Sequence, residues 1–213
     1  MAANDAKDLV NFIIMTLHEE LNKIKNGQII NNNIIPDQTN PQLMFNNYAQ
    51  YFIANNQSII SDLFYGINCN ITQCGGCGIQ TYNFQTYFFI VFPLEEVRKF
   101  KYNINQFNNF NYNANNNVVD IIDCFNYDKK INVMSGDNSM YCNYCKLTCT
   151  SSMCTNLTTG PEVLILLLNR GKGIEFDVKI NFTEYLNLFN YIKYKNTGFK
   201  YKLIGVITHM SES

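Results

Sequence analysis

The chain has 213 residues, a net charge of −1 and an apolar fraction of 46%, which suits one large domain or two small ones with a sizeable core. Lys and Arg number 16 against 17 Asp and Glu, and no basic run stands out, so no nucleic-acid partner is expected. The longest apolar run, "VLILLL" from Val163 to Leu168, has strand length and falls well short of the ~18 residues that cross a bilayer, so no membrane partner is expected.

In chain order, the opening "MAANDAKDLVNF" lacks the basic region and long apolar core of a secretion signal. The eight cysteines are therefore expected as reduced thiols or metal ligands rather than disulfides. The sequons at Asn70, Asn156 and Asn181 are read as chance in an Asn-rich chain. Residues 5–25 predict a helix, with Ala6, Leu9, Val10, Ile13, Leu17, Leu21 and Ile24 as its buried face. Asn4 is its cap, Asp5 and Asp8 suit its positive end, Lys23 and Lys25 suit its negative end, and Gly27 stops it. After a polar loop, further helices are expected over 43–54 and near 58–64.

From Gly66 onward the character changes. "GIQTYNFQTYFFIVF" (78–92) reads as strand and "VVDIIDCFNY" (118–127) as helix. "KLTCTSSMCTNL", "EVLILLLNR", "GIEFDVKINF" and "FKYKLIGVITHM" read as strands. Helices first, then a mainly antiparallel sheet with one helix interposed, predict an α+β fold. The Asn-rich runs at 31–33 and 103–117 read as loop insertions without packed structure.

Two C-x-x-C pairs carry the chemistry: "QCGGCGIQ" (73–80) and "YCNYCK" (141–146). Thiolates two residues apart can reach one ion from a tight turn, and Gly75 and Gly76 are expected to supply the backbone freedom for it. Cys74, Cys77, Cys142 and Cys145 together would complete a closed, tetrahedral, structural Zn2+ site. A redox dithiol or coincidence is the alternative, but neither pair has the strand–helix context of a thioredoxin-type motif. Cys149 and Cys154 lie near enough to Cys145 to compete as ligands. Cys69 and Cys124 read as plain thiols.

Six blocks, in order, carry a resemblance to the ubiquitin-specific protease family. "NDAKDLVNFIIMTLHEELNKI" is similar to its helix Q-D-A-x-E-F-L-x-x-L-L-D-x-L-H-E-E-L. "SIISDLFYGINCNITQCGGCG" is similar to S-x-I-x-D-L-F-x-G and the first C-x-x-C that follows it. "VVDIIDCFNY…YCNYC" resembles the short helix and second C-x-x-C. "GPEVLILLLNRGKG" resembles P-x-V-L-I-x-x-L-x-R, and "KINFTEYLNL" and "YKLIGVITHM" match two later blocks. The resemblance implies a fragment of the papain-like fold of these cysteine peptidases. Residues 1–65 would form its helical part, 66–92 and 140–160 zinc-tied β-fingers that cradle ubiquitin, 103–117 an insertion, and 161–213 palm strands. It also implies a cytoplasmic or nuclear setting, and a role for Asp5 in contacting the C-terminal tail of ubiquitin. Asp5 could equally serve only the helix N-terminus. Arg170 aligns with the family's basic residue at the end of that strand, or is only a sheet-edge charge.

The match is incomplete. The family's nucleophile box, G-L-x-N-x-G-N-T-C-Y, has no counterpart here, and the chain stops before the G-H-Y/F box. His209 precedes that box, and His18 lies on a helix and reads as an interface or packing residue. No catalytic residue is therefore assigned, and this chain alone is expected to be inactive. The expected function is the ubiquitin-recognising part of a deubiquitinating cysteine peptidase. The alternative is a non-catalytic ubiquitin-binding or scaffold module with a structural zinc.

Overall fold

A computed structural model describes residues 6–24, 39–102, 117–170, 178–194 and 199–208. Asn4, Asp5, Lys25, Gly27, His209 and all but the last residue of the 103–117 insertion, for which expectations were stated above, lie outside them.

The first helix, α1, spans Ala6–Leu21 and packs against the short α3, Ile59–Phe64. Between them α2, Pro41–Asn55, starts where Asn40 accepts the Leu43 N–H at 3.0 Å and Pro41 occupies the first turn, the position where a missing N–H costs least. Ser58 and Ser61 cap α3 reciprocally, each hydroxyl taking the other's backbone N–H at 3.0 Å.

Strands β1 (Gly66–Cys74) and β2 (Gln80–Tyr87) then form a hairpin. β1 also pairs along its length with β8 (Ser151–Thr159), and β8 carries β5 (Asn132–Met134) on its far side. The result is an antiparallel sheet of order β2-β1-β8-β5. Helix α2 lies on its base: Tyr48 accepts the Thr86 N–H at 2.8 Å, and Phe45 meets Phe84 with ring centroids 5.6 Å apart. Ile67, Cys69 and Phe84 form the small core there.

The larger core lies beyond this sheet. It is built from β3 (Ile90–Pro93), α4 (Leu94–Lys101), β4 (Val118–Asp120), α5 (Ile121–Asp128), β9 (Leu166–Asn169), β10 (Lys179–Asn181), β11 (Tyr185–Asn187) and β12 (Lys200–Lys202). Phe92, Leu94, Val97, Val119, Cys124, Val178 and Leu188 are fully buried in or beside these elements. Phe92 packs edge-on against Phe125, centroids 5.0 Å apart. The β3–β9 and β4–β10 pairs are parallel, while β11–β12 is antiparallel. The remaining pair, β6 (Met140–Cys142) and β7 (Leu147–Cys149), is an antiparallel hairpin leading into β8.

Three expectations need correction. Much of the face assigned to the core on α1 is turned to solvent: Leu9, Ile13, Leu17 and Leu21 are exposed and Val10 is half-buried, while Ile14 is buried. The helix is apolar around much of its circumference, so its pattern does not say which stripe meets the body. The long 78–92 run is two strands, β2 and β3, separated by Phe88 and Phe89. Finally, two helices rather than one interrupt the strands, because "LEEVRKFK" forms α4.

Candidate metal centre

The pairing of β1 with β8 brings the two cysteine motifs together. Cys74 is the last residue of β1 and stands opposite Ser151, the first of β8. Because β7 runs almost directly into β8, the β6–β7 hairpin is delivered to the tip of the β1–β2 hairpin. The Gly75 N–H donates to the Thr150 carbonyl at 2.8 Å and closes the junction.

Each motif is a tight turn. In the first, Gly78 N–H donates to Cys74 O at 2.8 Å and Cys74 N–H to Ile79 O at 3.0 Å. In the second, Lys146 N–H donates to Cys142 O at 2.8 Å, and Lys146 itself adopts φ 57°. Backbone N–H groups also point at the leading sulfurs: Gly76 to Cys74 Sγ at 3.3 Å and Cys145 to Cys142 Sγ at 3.4 Å. Such donors stabilise a thiolate. Aimed at by the Cys77 and then the Gly76 N–H, the Cys74 thiol is drawn down to about 6, whereas Cys145, hydrogen-bonded first to Cys77, is held well above the usual thiol range.

The glycines do not act as expected. The left-handed residue of the first turn is Gly78, at φ 73°. Gly75 and Gly76 are needed for close approach. A Cβ on Gly75 would lie 2.6 Å from Thr150 O, and one on Gly76 would lie between 3.2 and 3.6 Å from three cysteine sulfurs.

The four sulfurs of Cys74, Cys77, Cys142 and Cys145 lie within 4.8 Å of one another. The cross-hairpin pairs Cys74–Cys145 and Cys77–Cys142 stand 3.8 and 3.7 Å apart. A tetrahedral zinc with Zn–S bonds of about 2.3 Å requires S···S separations of about 3.8 Å. The donor chemistry and the spacing are therefore compatible with zinc, and with each hairpin supplying two ligands.

The other cysteines divide. Cys154, on β8 opposite Ile71, stands outside the cluster. Cys69 and Cys124 are buried, and burial pushes their thiols up to about 11 and about 12. Cys149 lies outside the cluster but beside it, its sulfur 3.2 Å from the site of the missing Gly76 Cβ. His18 has both ring nitrogens engaged, Nδ1 with Ser58 Oγ at 2.8 Å and Nε2 with Asn56 Oδ1 at 3.0 Å, and it stacks near Tyr65. It fastens α1 to the start of α3, the packing role expected of it rather than the interface one. Arg170 follows β9 directly and is exposed.

The fold and site define an α+β protein in which a four-thiol cluster joins two hairpin tips. A model of the ubiquitin carboxyl-terminal hydrolase family matches residues 1–213, and the chain belongs to that family, with its papain-like fold. It is 22% identical over 217 residues to ubiquitin carboxyl-terminal hydrolase Usp2 of Drosophila melanogaster, covering 98% of this chain and 21% of that protein. It is 23% identical over 174 residues to a probable ubiquitin carboxyl-terminal hydrolase 4 of Schizosaccharomyces pombe, covering 79% of this chain and 26% of that protein. Over a shorter stretch of 85 residues it is 32% identical to ubiquitin carboxyl-terminal hydrolase 17-like protein B of Mus musculus, covering 38% of this chain and 18% of that protein. The chain thus spans about a fifth to a quarter of the length of the relatives it matches over most of its own. Among the described residues no helix is long and apolar enough to cross a membrane.

Proposed function

We propose that this chain is the ubiquitin-recognising part of a deubiquitinating cysteine peptidase, with a structural zinc held by Cys74, Cys77, Cys142 and Cys145. The observation that carries the reading is the four-thiol cluster, its spacing compatible with zinc, joining two hairpin tips in a chain of this family. Four protein thiolates leave no coordination position for substrate, so the metal shapes a surface rather than performing chemistry. In this reading residues 66–92 and 140–160 are fingers that cradle the body of ubiquitin. Residues 1–65 and 161–213 are the helical and palm parts, and Asp5 meets the basic tail of ubiquitin as a charge-assisted partner.

Hydrolysis after the terminal glycine of ubiquitin belongs, in this reading, to the whole protein, whose nucleophile and catalytic histidine are not within this stretch. In support, both nitrogens of His18 are committed to Ser58 and Asn56. Burial also disfavours the thiolates of Cys69 and Cys124, and a nucleophilic cysteine needs a base beside it.

The test is a titration of isotope-labelled mono-ubiquitin with the zinc-loaded chain, followed by NMR. Saturable shifts on one face of ubiquitin are expected, and they should weaken in Cys142→Ser. A folded, zinc-loaded chain that leaves ubiquitin unperturbed at high micromolar concentration would overturn ubiquitin recognition and leave a zinc-stabilised interaction module. If ubiquitin binds but the full-length protein fails to cleave a ubiquitin conjugate, the chain is a non-catalytic ubiquitin-binding or scaffold module.

A further inference from the structure

We infer that Cys149 is a reserve ligand of the metal centre, able to take the coordination position of Cys145 and keep the two hairpins joined. The inference rests on the zinc reading above and adds to it a second, overlapping ligand set: Cys74, Cys77, Cys142 and Cys149.

The geometry is set by Gly76. The site of its missing Cβ lies 3.2 Å from Cys149 Sγ, 3.3 Å from Cys145 Sγ and 3.6 Å from Cys74 Sγ. Three sulfurs therefore converge on the space left by the absent side chain. Within the four-thiol set, Cys74 pairs with Cys145 on this side and Cys77 pairs with Cys142 on the other. Cys149 Sγ and Cys145 Sγ thus lie against the same point, the site of the missing Gly76 Cβ, with Cys74 Sγ close by, while Cys149 stays outside the set of four sulfurs that lie within 4.8 Å of one another. Its hydrogen bond is weak, an S–H to the Leu147 carbonyl at 3.7 Å, so little holds the side chain back from turning toward the other three sulfurs.

Why Cys145 and not Cys74 is the ligand replaced follows from topology. Cys145 lies in the turn of the β6–β7 hairpin, and Cys149 ends β7 of that same hairpin. Exchange between these two preserves two ligands from each hairpin and hence the clamp. Zinc imposes no d-electron preference on ligand geometry, so a thiolate arriving from a slightly different direction is accepted.

Cobalt(II) substitution tests this, because thiolate-to-cobalt absorption counts the coordinated thiolates. Wild type and Cys149→Ser should both give a four-thiolate spectrum. Cys145→Ser should keep that four-thiolate intensity, with Cys149 recruited. Cys145→Ser combined with Cys149→Ser should lose about a quarter of the intensity, one thiolate of four, or lose cobalt altogether. Cys77→Ser, on the far edge, should show the same loss as a single variant. A Cys145→Ser protein that shows three thiolates, binds no cobalt, or fails to fold with metal present while Cys149→Ser folds would overturn the reserve role and leave the four-thiol centre standing. A wild-type chain without a four-thiolate spectrum would overturn the centre and the reserve role together.

Discussion

The Cys74 thiol illustrates how single backbone groups set the chemistry of the cluster. The N–H groups of Cys77 and Gly76 draw it to about 6, which favours its thiolate. Cys145, hydrogen-bonded to its neighbours' thiols, is held far above the ordinary range and keeps its proton near neutral pH. Metal binding needs the thiolate form of every ligand. Loading at neutral pH therefore displaces at least the Cys145 proton, and affinity should fall by roughly tenfold per pH unit for each proton displaced. Below about pH 6 the Cys74 proton must leave as well, and the fall should steepen. A zinc competition titration over about pH 5 to 8 reads this slope, and an affinity independent of pH would contradict it. At the same scale, Gly75 is fixed by contact. With Thr150 O only 2.6 Å from the site of a new Cβ, Gly75→Ala must push the two hairpins apart. It should weaken zinc binding more than Gly78→Ala, whose Cβ meets nothing within 4 Å and pays mainly for its positive φ.

At the scale of elements, α1 is the helix among the described residues with the most exposed large apolar side chains. Leu9 is 60% and Phe12 66% exposed, and Ile13, Met15 and Leu21 are exposed beside them. A contiguous apolar face of this kind promotes association. The chain is expected to self-associate in light scattering, and Leu9→Lys with Phe12→Glu should restore a monomer. A wild-type chain that is already monomeric at high concentration would contradict that. The same helix marks the limit of sequence reading. Its existence was plain from periodicity, but apolar residues on several sides left the buried stripe open. Helices expected over 43–54 and near 58–64 match α2 and α3 to within about two residues, while their caps, Asn40 and Ser58, emerge only in the structure. Helix α4 was missed because "LEEVRKFK" is mostly charged, and its burial of Leu94, Val97 and Arg98 depends on tertiary contacts and on the Arg98–Glu95 pair at 2.7 Å. Strand β4 has three residues and pairs in parallel with a strand far along the chain, a pairing no local pattern announces. Both C-x-x-C motifs were legible, but the reason they meet, the β1–β8 ladder, was not.

At the scale of the whole molecule, the two cores serve different ends. The larger one, centred on Phe92 and Phe125, is an aromatic and aliphatic core that holds itself together. Phe92→Ala should cost about 3–5 kcal/mol in denaturant unfolding, and a loss under about 1 kcal/mol would contradict its place at the centre. The tip of the antiparallel sheet has no such core. Tyr141, Tyr144 and Leu147 around it are exposed, so the cluster of sulfurs is what is available to join the hairpins. Metal binding at such a place is coupled to local folding. Native mass spectrometry of the intact chain tests this most directly. The expected result is one zinc per folded chain, lost in Cys142→Ser together with the order of the β6–β7 hairpin. A folded wild-type chain that carries no zinc in the presence of the ion, or a Cys142→Ser chain that keeps its full metal content, would contradict it.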